Sequence, residues 1–365
     1  MILVGGFLGA GKTTLMTRAA KHLAGQGRRV GLITNDQATD LVDTGLIRRQ
    51  GFGVGEVAGG CSCCRFRDLV HAAQKLLIDL QPDILMGEPV GSCTDLAATV
   101  IRPLQSLHAD WFQVAPFTVL TDPDRLREAV IDGVPSFFPE NVRYILRKQL
   151  DEADLIVINK LDLLSPAAAQ ELREAVSRRY PDTRVLAISA QTGEGVEEWL
   201  RAVLEPHPAA GRREIPINYD RYADGEAVLG WLNASVSLAA DQPADWVAFV
   251  RRYFAGLHGA LKQRGAEVAH LKLLLTTPAG SVVTNLTSTA AEPSYRGEVT
   301  EPTTTASLIV NARVSLAPED LNAAVTDCLR ESADRTHRAQ ILQIQSFRPG
   351  RPKPTHHLGG SPEAL

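Results

Sequence analysis

Short aliphatic and β-branched runs alternate with amphipathic stretches over residues 1–205. The runs that predict strands are Ile2–Val4, Val30–Thr34, Ile84–Met86, Phe117–Leu120, Leu155–Ile158 and Val185–Ile188. Between them, residues 66–80 place leucine, valine and alanine at helical spacing and end at Gln81-Pro82-Asp83. Because this alternation builds a mostly parallel sheet covered by helices, we predict an α/β domain over residues 1–205.

The pattern changes after residue 205. Four helix and strand breakers, Pro206, Pro208, Gly211 and Pro216, predict a linker over residues 206–228. A smaller α+β domain is predicted over residues 229–348, with strands at Leu229–Leu238, Leu271–Thr276, Ser281–Leu286, Leu308–Leu316 and Ile341–Phe347. A ferredoxin-like arrangement is one hypothesis for it. We predict a long mobile loop over residues 287–306 and a disordered tail over residues 349–365.

Composition and charge argue against several classes of protein. The chain has 365 residues, and 38 Lys and Arg against 42 Asp and Glu give a net charge of −4. This balance does not favour nucleic acid or an anionic membrane as a partner. No apolar run approaches the roughly 18–20 residues needed to span a bilayer, and no signal-peptide pattern follows Met1. We therefore expect a cytoplasmic protein.

A phosphate-binding loop lies between the first predicted strand and a helix. Residues 6–13, Gly-Phe-Leu-Gly-Ala-Gly-Lys-Thr, match the pattern G-x-x-x-x-G-K-[ST]. Backbone N–H groups of such a loop cradle phosphates, Lys12 reaches the β- and γ-phosphates, and the Thr13 hydroxyl ligates Mg²⁺. The residues expected to bind the phosphate groups are Gly6, Gly9, Ala10, Gly11, Lys12, Thr13 and Thr14.

A second motif indicates which base is bound. Asn159-Lys160-Leu161-Asp162 follows a predicted strand and resembles the N-K-x-D guanine-recognition motif of GTPases. A carboxylate at Asp162 can accept two hydrogen bonds from guanine that adenine cannot offer, while the stem of Lys160 covers the ring. Ser189-Ala190 follows the next strand and resembles a base-contacting loop. The nucleotide is therefore predicted to be GTP.

Carboxylates at two other strand ends are candidates for hydrolysis. Glu88 follows Ile84–Met86 and precedes Gly91, and Asp36 follows Val30–Thr34. Ligands bind at the carboxyl ends of strands in open α/β sheets. We predict Glu88 to orient water or contact Mg²⁺. Asp36, next to Asn35, is predicted to contact Mg²⁺ through water or to respond to the γ-phosphate. The predicted catalytic set is Lys12, Glu88 and Asp36.

Three cysteines lie within four residues of a glycine-rich segment. Cys61, Cys63 and Cys64 can converge on one thiophilic ion, and Zn²⁺ prefers four tetrahedral ligands. Glu56, a histidine, water or a client protein are candidates for the fourth donor. A redox role is an alternative, because Cys61 and Cys64 form a C-x-x-C pair. Cys93 is interpreted as buried packing or as a nearby ligand, and His356-His357 as part of a solvated tail.

These motifs, in this order, resemble the CobW-like family of P-loop GTPases, which is grouped with the urease and hydrogenase nickel-maturation GTPases. The resemblance covers residues 1–205. It implies a metallochaperone that hydrolyses GTP and inserts an ion into a client metalloprotein. It also implies that the three cysteines bind Zn²⁺ or Co²⁺, that Glu88 is the hydrolysis-site carboxylate, and that Asn159, Lys160 and Asp162 read guanine. Gly59 and Asp36 depart from the family pattern, which often has Asn and Glu there.

Two other hypotheses stay open at this point. A metal-sensing regulatory GTPase would control a partner protein without handing over an ion. A P-loop kinase or biosynthetic ATPase would need an acceptor pocket and would leave Asp162 without a role.

Overall fold

The computed structural model describes residues 1–35, 51–131, 134, 136–205, 210–333 and 336–359. These residues form two compact units. The first contains the described residues up to Gly225 together with those from Arg351 onward, and the second contains those from Glu226 to Gly350. Within the part of the chain that is described, no helix is both long and apolar enough to cross a membrane.

The first unit contains a parallel sheet of seven strands in the order β3-β2-β4-β1-β5-β6-β7. The strands are β1 Ile2–Gly5, β2 Val30–Asn35, β3 Gly53–Val57, β4 Ile84–Gly87, β5 Thr118–Thr121, β6 Leu155–Ile158 and β7 Arg184–Ala187. The predicted α/β class is confirmed. The pattern missed β3, because its sequence Gly-Val-Gly-Glu-Val has no continuous apolar run.

Helices cover the sheet. They are α1 Lys12–Gly25, α2 Phe66–Leu80, α3 Arg102–Leu107, α4 Pro123–Val130, α5 Glu140–Asp151, α6 Pro166–Arg179, α7 Val196–Leu204 and α8 Tyr219–Ala227, with a π-helix at Ala97–Ile101 leading into α3. The core beside α1 includes Leu15, Met16 and Trp199, which have no exposed surface. Burying a side chain of this size contributes about 1.5–3 kcal/mol, so this packing fixes α1 and the loop before it.

The second unit is an antiparallel sheet of six strands in the order β11-β10-β9-β12-β8-β13. Its elements are β8 Gly230–Ala244, α9 Trp246–Gln263, β9 Val268–Thr277, β10 Gly280–Leu286, β11 Ser294–Val299, β12 Thr303–Val314, α10 Pro318–Ser332 and β13 His337–Phe347. Without β10 and β11, the succession is β-α-β-β-α-β, as in ferredoxin-like folds. The predicted mobile loop over residues 287–306 is wrong in part, since β11 pairs with β10 over six residues.

Two further segments differ from the prediction. Residues 210–225, assigned to a linker, belong to the first unit, where Tyr222 is buried. The tail from residue 351 to 359 is not disordered, because its backbone N–H groups find acceptors. The amide of Thr355 donates to the carbonyl of Cys63 at 2.9 Å, and that of Leu358 to Ala98 at 2.9 Å. Polar composition predicts disorder but does not reveal such distant acceptors.

Candidate functional site

The phosphate loop connects the central strand β1 to α1. Its glycines are required by the backbone: Gly6 and Gly11 have φ values of 124° and 98°, which side chains with a Cβ rarely adopt. A Cβ at Gly6 would lie 1.9 Å from the carbonyl oxygen of Leu120, and one at Gly11 would lie 2.4 Å from Nδ2 of Asn159. Gly9 also has a positive φ, Ala10 is buried, and Thr14 is in the first turn of α1. The loop therefore packs tightly between β5 and the end of β6.

Lys12, Thr13 and Glu88 meet at the start of α1. The ammonium of Lys12 donates to the carbonyl oxygens of Gly6 at 2.8 Å and Phe7 at 3.2 Å. The Thr13 hydroxyl lies 3.0 Å from both carboxylate oxygens of Glu88. Glu88 comes directly after β4, which pairs with β1, and this pairing brings the predicted carboxylate to the phosphate loop.

The oxygens of Thr13 and Glu88 fit a magnesium ion. Neighbouring oxygens of an octahedral site with Mg–O bonds of about 2.1 Å lie about 3.0 Å apart. This is the separation between the Thr13 hydroxyl and each carboxylate oxygen. Both groups are hard oxygen donors, which Mg²⁺ prefers.

The end of β2 holds the cysteine loop. The amide nitrogen of Asn35 donates to the carbonyl oxygens of Val57 at 2.9 Å and Gly60 at 2.7 Å, and its oxygen accepts from the backbone and hydroxyl of Ser62. The side chain thus fastens the whole segment that leads into the cysteines. Asp36, the third predicted catalytic residue, lies outside the described residues.

The base-recognition residues lie at the ends of β6 and β7. The Asn159 side chain donates to the carbonyl of Ala10 at 2.8 Å and accepts from the amide of Ala190 at 2.8 Å, so it joins the phosphate loop to the loop after β7. Lys160 has a φ of 63°. The hydroxyl of Ser189 donates to Asp162, which orients the carboxylate. The structure thus brings all five predicted base-site residues together.

Thiols from two separate segments converge beside the sheet. The sulfurs of Cys61, Cys63 and Cys93 all lie within 4.8 Å of one another, and Cys61 and Cys63 are 2.9 Å apart. Cys64 lies 3.9 Å from Cys63 and is half-buried. Two sulfurs bound tetrahedrally to one zinc at about 2.3 Å are about 3.8 Å apart. Small side-chain adjustments therefore suffice to hold one ion.

Glu56, a candidate fourth donor, is on β3 and pairs in register with Thr34. It is not in the group of close metal-binding atoms that the described residues form, which consists of Cys61, Cys63 and Cys93. Cys93 is the member that the motif alone did not assign. Its position shortly after Glu88 indicates that it lies near the nucleotide site. Because 29 residues separate it from Cys64, the sequence alone does not predict its contact with the other cysteines.

The thiols of the cluster shift one another's pKa values. Hydrogen bonds from Cys63, Cys64 and Cys93 lower the pKa of Cys61. Cys63 and Cys64 each form a hydrogen bond with Cys61. These bonds raise the pKa of Cys63 and raise that of Cys64 to about 11. These shifts favour the thiolate form at Cys61 and the protonated thiol at Cys63 and Cys64. A thiophilic cation would replace these protons, since the thiolate form is the metal ligand.

The C-terminal segment covers Cys64. The backbone N–H of Lys353 lies 3.2 Å from the sulfur of Cys64, and the hydroxyl of Thr355 donates to the carbonyl of Cys64 at 3.0 Å. His356 stacks edge-on against Phe66, and His357 lies 3.0 Å from a carboxylate oxygen of Asp95. We call residues 351–359 the strap. The two histidines were predicted to be part of a solvated tail; both make contacts with the first unit, and His356 is half-buried whereas His357 remains exposed.

Comparison with known proteins places these motifs in a family. The family model of the CobW/HypB/UreG nucleotide-binding domain matches residues 1–187. Hydrogenase maturation factor HypB of Azotobacter vinelandii is 32% identical over 194 residues, which cover 53% of this chain and 55% of that protein. Zinc chaperone CobW of a Sinorhizobium species is 27% identical over 211 residues, which cover 53% and 59%. The chain thus spans between half and three fifths of the length of these relatives.

A shorter relative and a solved structure are also similar. Urease accessory protein UreG of Metallosphaera sedula is 28% identical over 222 residues, which cover 56% of this chain and 94% of that protein. The zinc-bound YjiA GTPase from E. coli is 17% identical, with a TM-score of 0.37, over 90% of this chain and 98% of that chain. Because the family model matches more than half of the sequence, the chain belongs to the CobW/HypB/UreG family.

Proposed function

We propose that this protein is a GTP-hydrolysing metallochaperone that binds Zn²⁺ or Co²⁺ on its cysteine loop and couples the nucleotide state to delivery of the ion. One observation carries the proposal: β2 and β4 are paired neighbours, and they end at the cysteine loop and at the phosphate loop, respectively. Asn35, after which β2 ends, fastens the cysteine loop, and Glu88, directly after β4, meets Thr13 of the phosphate loop. A change at the nucleotide can therefore move the thiols.

The nucleotide chemistry rests on positioning. Backbone N–H groups of the loop Gly6–Thr13 would bind the phosphates, and Lys12 would exchange its carbonyl acceptors for phosphate oxygens. Asp162 would accept hydrogen bonds from guanine, and Glu88 would orient the attacking water. Mg²⁺, held by Thr13 and Glu88, would supply positive charge against the phosphates.

The ion is cargo. Thiolates are soft ligands that favour Zn²⁺ and Co²⁺ over the hard cations that bind beside Thr13. Relatives named hydrogenase maturation factor, urease accessory protein and zinc chaperone support a client metalloprotein as the recipient. A cytoplasmic location and the absence of nucleic-acid and membrane partners remain parts of the proposal.

The test is GTP hydrolysis by metal-stripped protein, with and without stoichiometric Zn²⁺ or Co²⁺. The matched variant carries Cys61→Ala, Cys63→Ala and Cys64→Ala. We expect the ion to change the hydrolysis rate of the parent and not that of the variant. If the ion changes the rate of GTP hydrolysis in neither protein, the proposed coupling between ion and nucleotide is contradicted.

A regulatory GTPase that keeps its ion is the second candidate. The strap favours it, because Lys353 and Thr355 cover Cys64, the most exposed thiol of the cluster. The two candidates differ in the fate of the ion during a single turnover. A metallochaperone releases Zn²⁺ to a chromophoric chelator when GTP is hydrolysed and not with a non-hydrolysable analogue, whereas a regulatory GTPase releases none in either case.

A further inference from the structure

We propose that Cys93 is a metal ligand and that its loop transmits metal binding to the phosphate loop. The inference rests on the proposed function, because it requires an ion on the cysteine cluster. It assigns the buried ligand set to Cys61, Cys63 and Cys93. Cys64 becomes the outer thiol, positioned to receive or release the ion.

Burial and distance separate the four thiols into two kinds. Cys61, Cys63 and Cys93 are at most 6% exposed, and their sulfurs form one group within 4.8 Å. Cys64 lies at the edge of this group, half-buried beneath the strap. A tetrahedral ion on the three buried sulfurs keeps one position for an exchanging donor, as in zinc sites with an open coordination position.

The Cys93 loop is fixed from several sides. The amide of Gln149, which is 2% exposed, donates to the carbonyl oxygens of Gly91 at 3.0 Å and Cys93 at 2.8 Å. The backbone N–H of Cys93 donates to Val90 at 2.9 Å. Two residues later, Asp95 has a φ of 63°, a conformation that non-glycine residues rarely adopt. This loop is built to hold the Cys93 sulfur in one place.

The other end of the same loop touches the nucleotide machinery. A Cβ at Gly91 would lie 2.9 Å from the backbone nitrogen of Leu8 and 3.0 Å from the ammonium of Lys12. Glu88, five residues before Cys93, meets the Thr13 hydroxyl. A side chain at residue 91 would crowd both atoms, so the loop passes close to Leu8 and Lys12. We therefore expect a shift of the loop toward a bound ion to reach these two residues. The segment from Glu88 to Cys93 is therefore the shortest covalent connection between the two sites among the described residues.

The first experiment counts sulfur ligands in zinc-loaded protein by X-ray absorption. The Cys64→Ser variant changes only the outer thiol, so its fold is expected to be intact. Three sulfur ligands in this variant are the expected result, because Cys61, Cys63 and Cys93 remain. Two sulfur ligands would overturn the assignment of Cys93.

The second experiment titrates Co²⁺ into the full chain, with and without a non-hydrolysable GTP analogue, and follows the thiolate-to-metal absorption. We expect Cys93→Ser to weaken Co²⁺ binding about 100-fold and to abolish the effect of the analogue, which in the parent should be about 5-fold or more. The matched control is Cys328→Ser, a buried thiol of the second unit, which should behave as the parent.

The outcomes separate the two proposals. If the parent binds Co²⁺ through thiolates and Cys93→Ser binds it equally well with the same response to the analogue, the role of Cys93 is refuted while the metallochaperone stands. If the parent shows no thiolate-to-metal absorption, the proposed function fails and the assignment of Cys93 fails with it. Binding of the analogue to Cys93→Ser in the absence of metal shows that the variant is folded.

Discussion

Replacing Asn159 with alanine should separate the phosphate loop from the loop after β7. The side chain is 3% exposed and makes hydrogen bonds of 2.8 Å with the carbonyl of Ala10 and the amide of Ala190. Ala10 and Ala190 are themselves buried. The substitution leaves two buried backbone groups without these partners, and each such group costs about 1–3 kcal/mol. The expected loss of unfolding free energy is about 2–6 kcal/mol.

Stability and nucleotide affinity are measured separately. Urea unfolding gives the change in stability, and calorimetric titration with a non-hydrolysable GTP analogue gives the change in affinity. We expect the affinity to fall at least about tenfold, which corresponds to about 1.4 kcal/mol, because the phosphate loop loses a fixed neighbour. Asn322→Ala, at a half-buried position of α10 in the second unit, is the matched control. It should change stability much less than Asn159→Ala and should leave nucleotide affinity unchanged. An Asn159→Ala protein with parental stability and affinity would contradict this role of the Asn159 side chain.

Three further predictions follow from other parts of the first unit. Asp162→Ala should remove the preference for GTP over ATP in competition binding, and a retained preference would revive the ATPase hypothesis. Ending the chain at Gly350 removes the strap, so alkylation of Cys64 should become several-fold faster; an unchanged rate would show that the strap does not protect it. Burial raises the pKa of Glu152 to about 8, well above its usual value. Between roughly pH 4.5 and 8 the folded protein therefore keeps a proton on Glu152 that the unfolded chain releases. The free energy of unfolding should fall by about 1.4 kcal/mol for each unit of rising pH in this range. Glu152→Gln should flatten this fall in urea unfolding, and an equal slope would contradict it.

The sequence predicts most of the nucleotide site, because its motifs combine fixed spacing with an apolar strand immediately before them. The residues 6–13 follow β1, and Asn159 follows β6, so their meeting at one sheet edge is a consequence of the parallel fold. β3 escaped prediction because glycines interrupt its apolar pattern.

The candidate metal site could be predicted less completely from the sequence. Cys93 lies close to Cys61 because β3 and β4, the strands that precede their two segments, both pair with β2. Local hydrophobic periodicity does not predict this strand order. The pairing of Thr355 with Cys64 joins residues 291 positions apart. The motif gave the identity of the thiols, but only the tertiary structure shows which of them are buried together and which is covered.

The proposed function depends above all on reciprocal coupling between the ion and GTP. Its most direct test measures the Zn²⁺ affinity of the full chain with and without a non-hydrolysable GTP analogue, and the analogue's affinity with and without Zn²⁺. We expect both affinities to change by the same factor, which differs from one, as thermodynamic linkage requires for two coupled sites. Identical Zn²⁺ affinities in the two nucleotide states would contradict it.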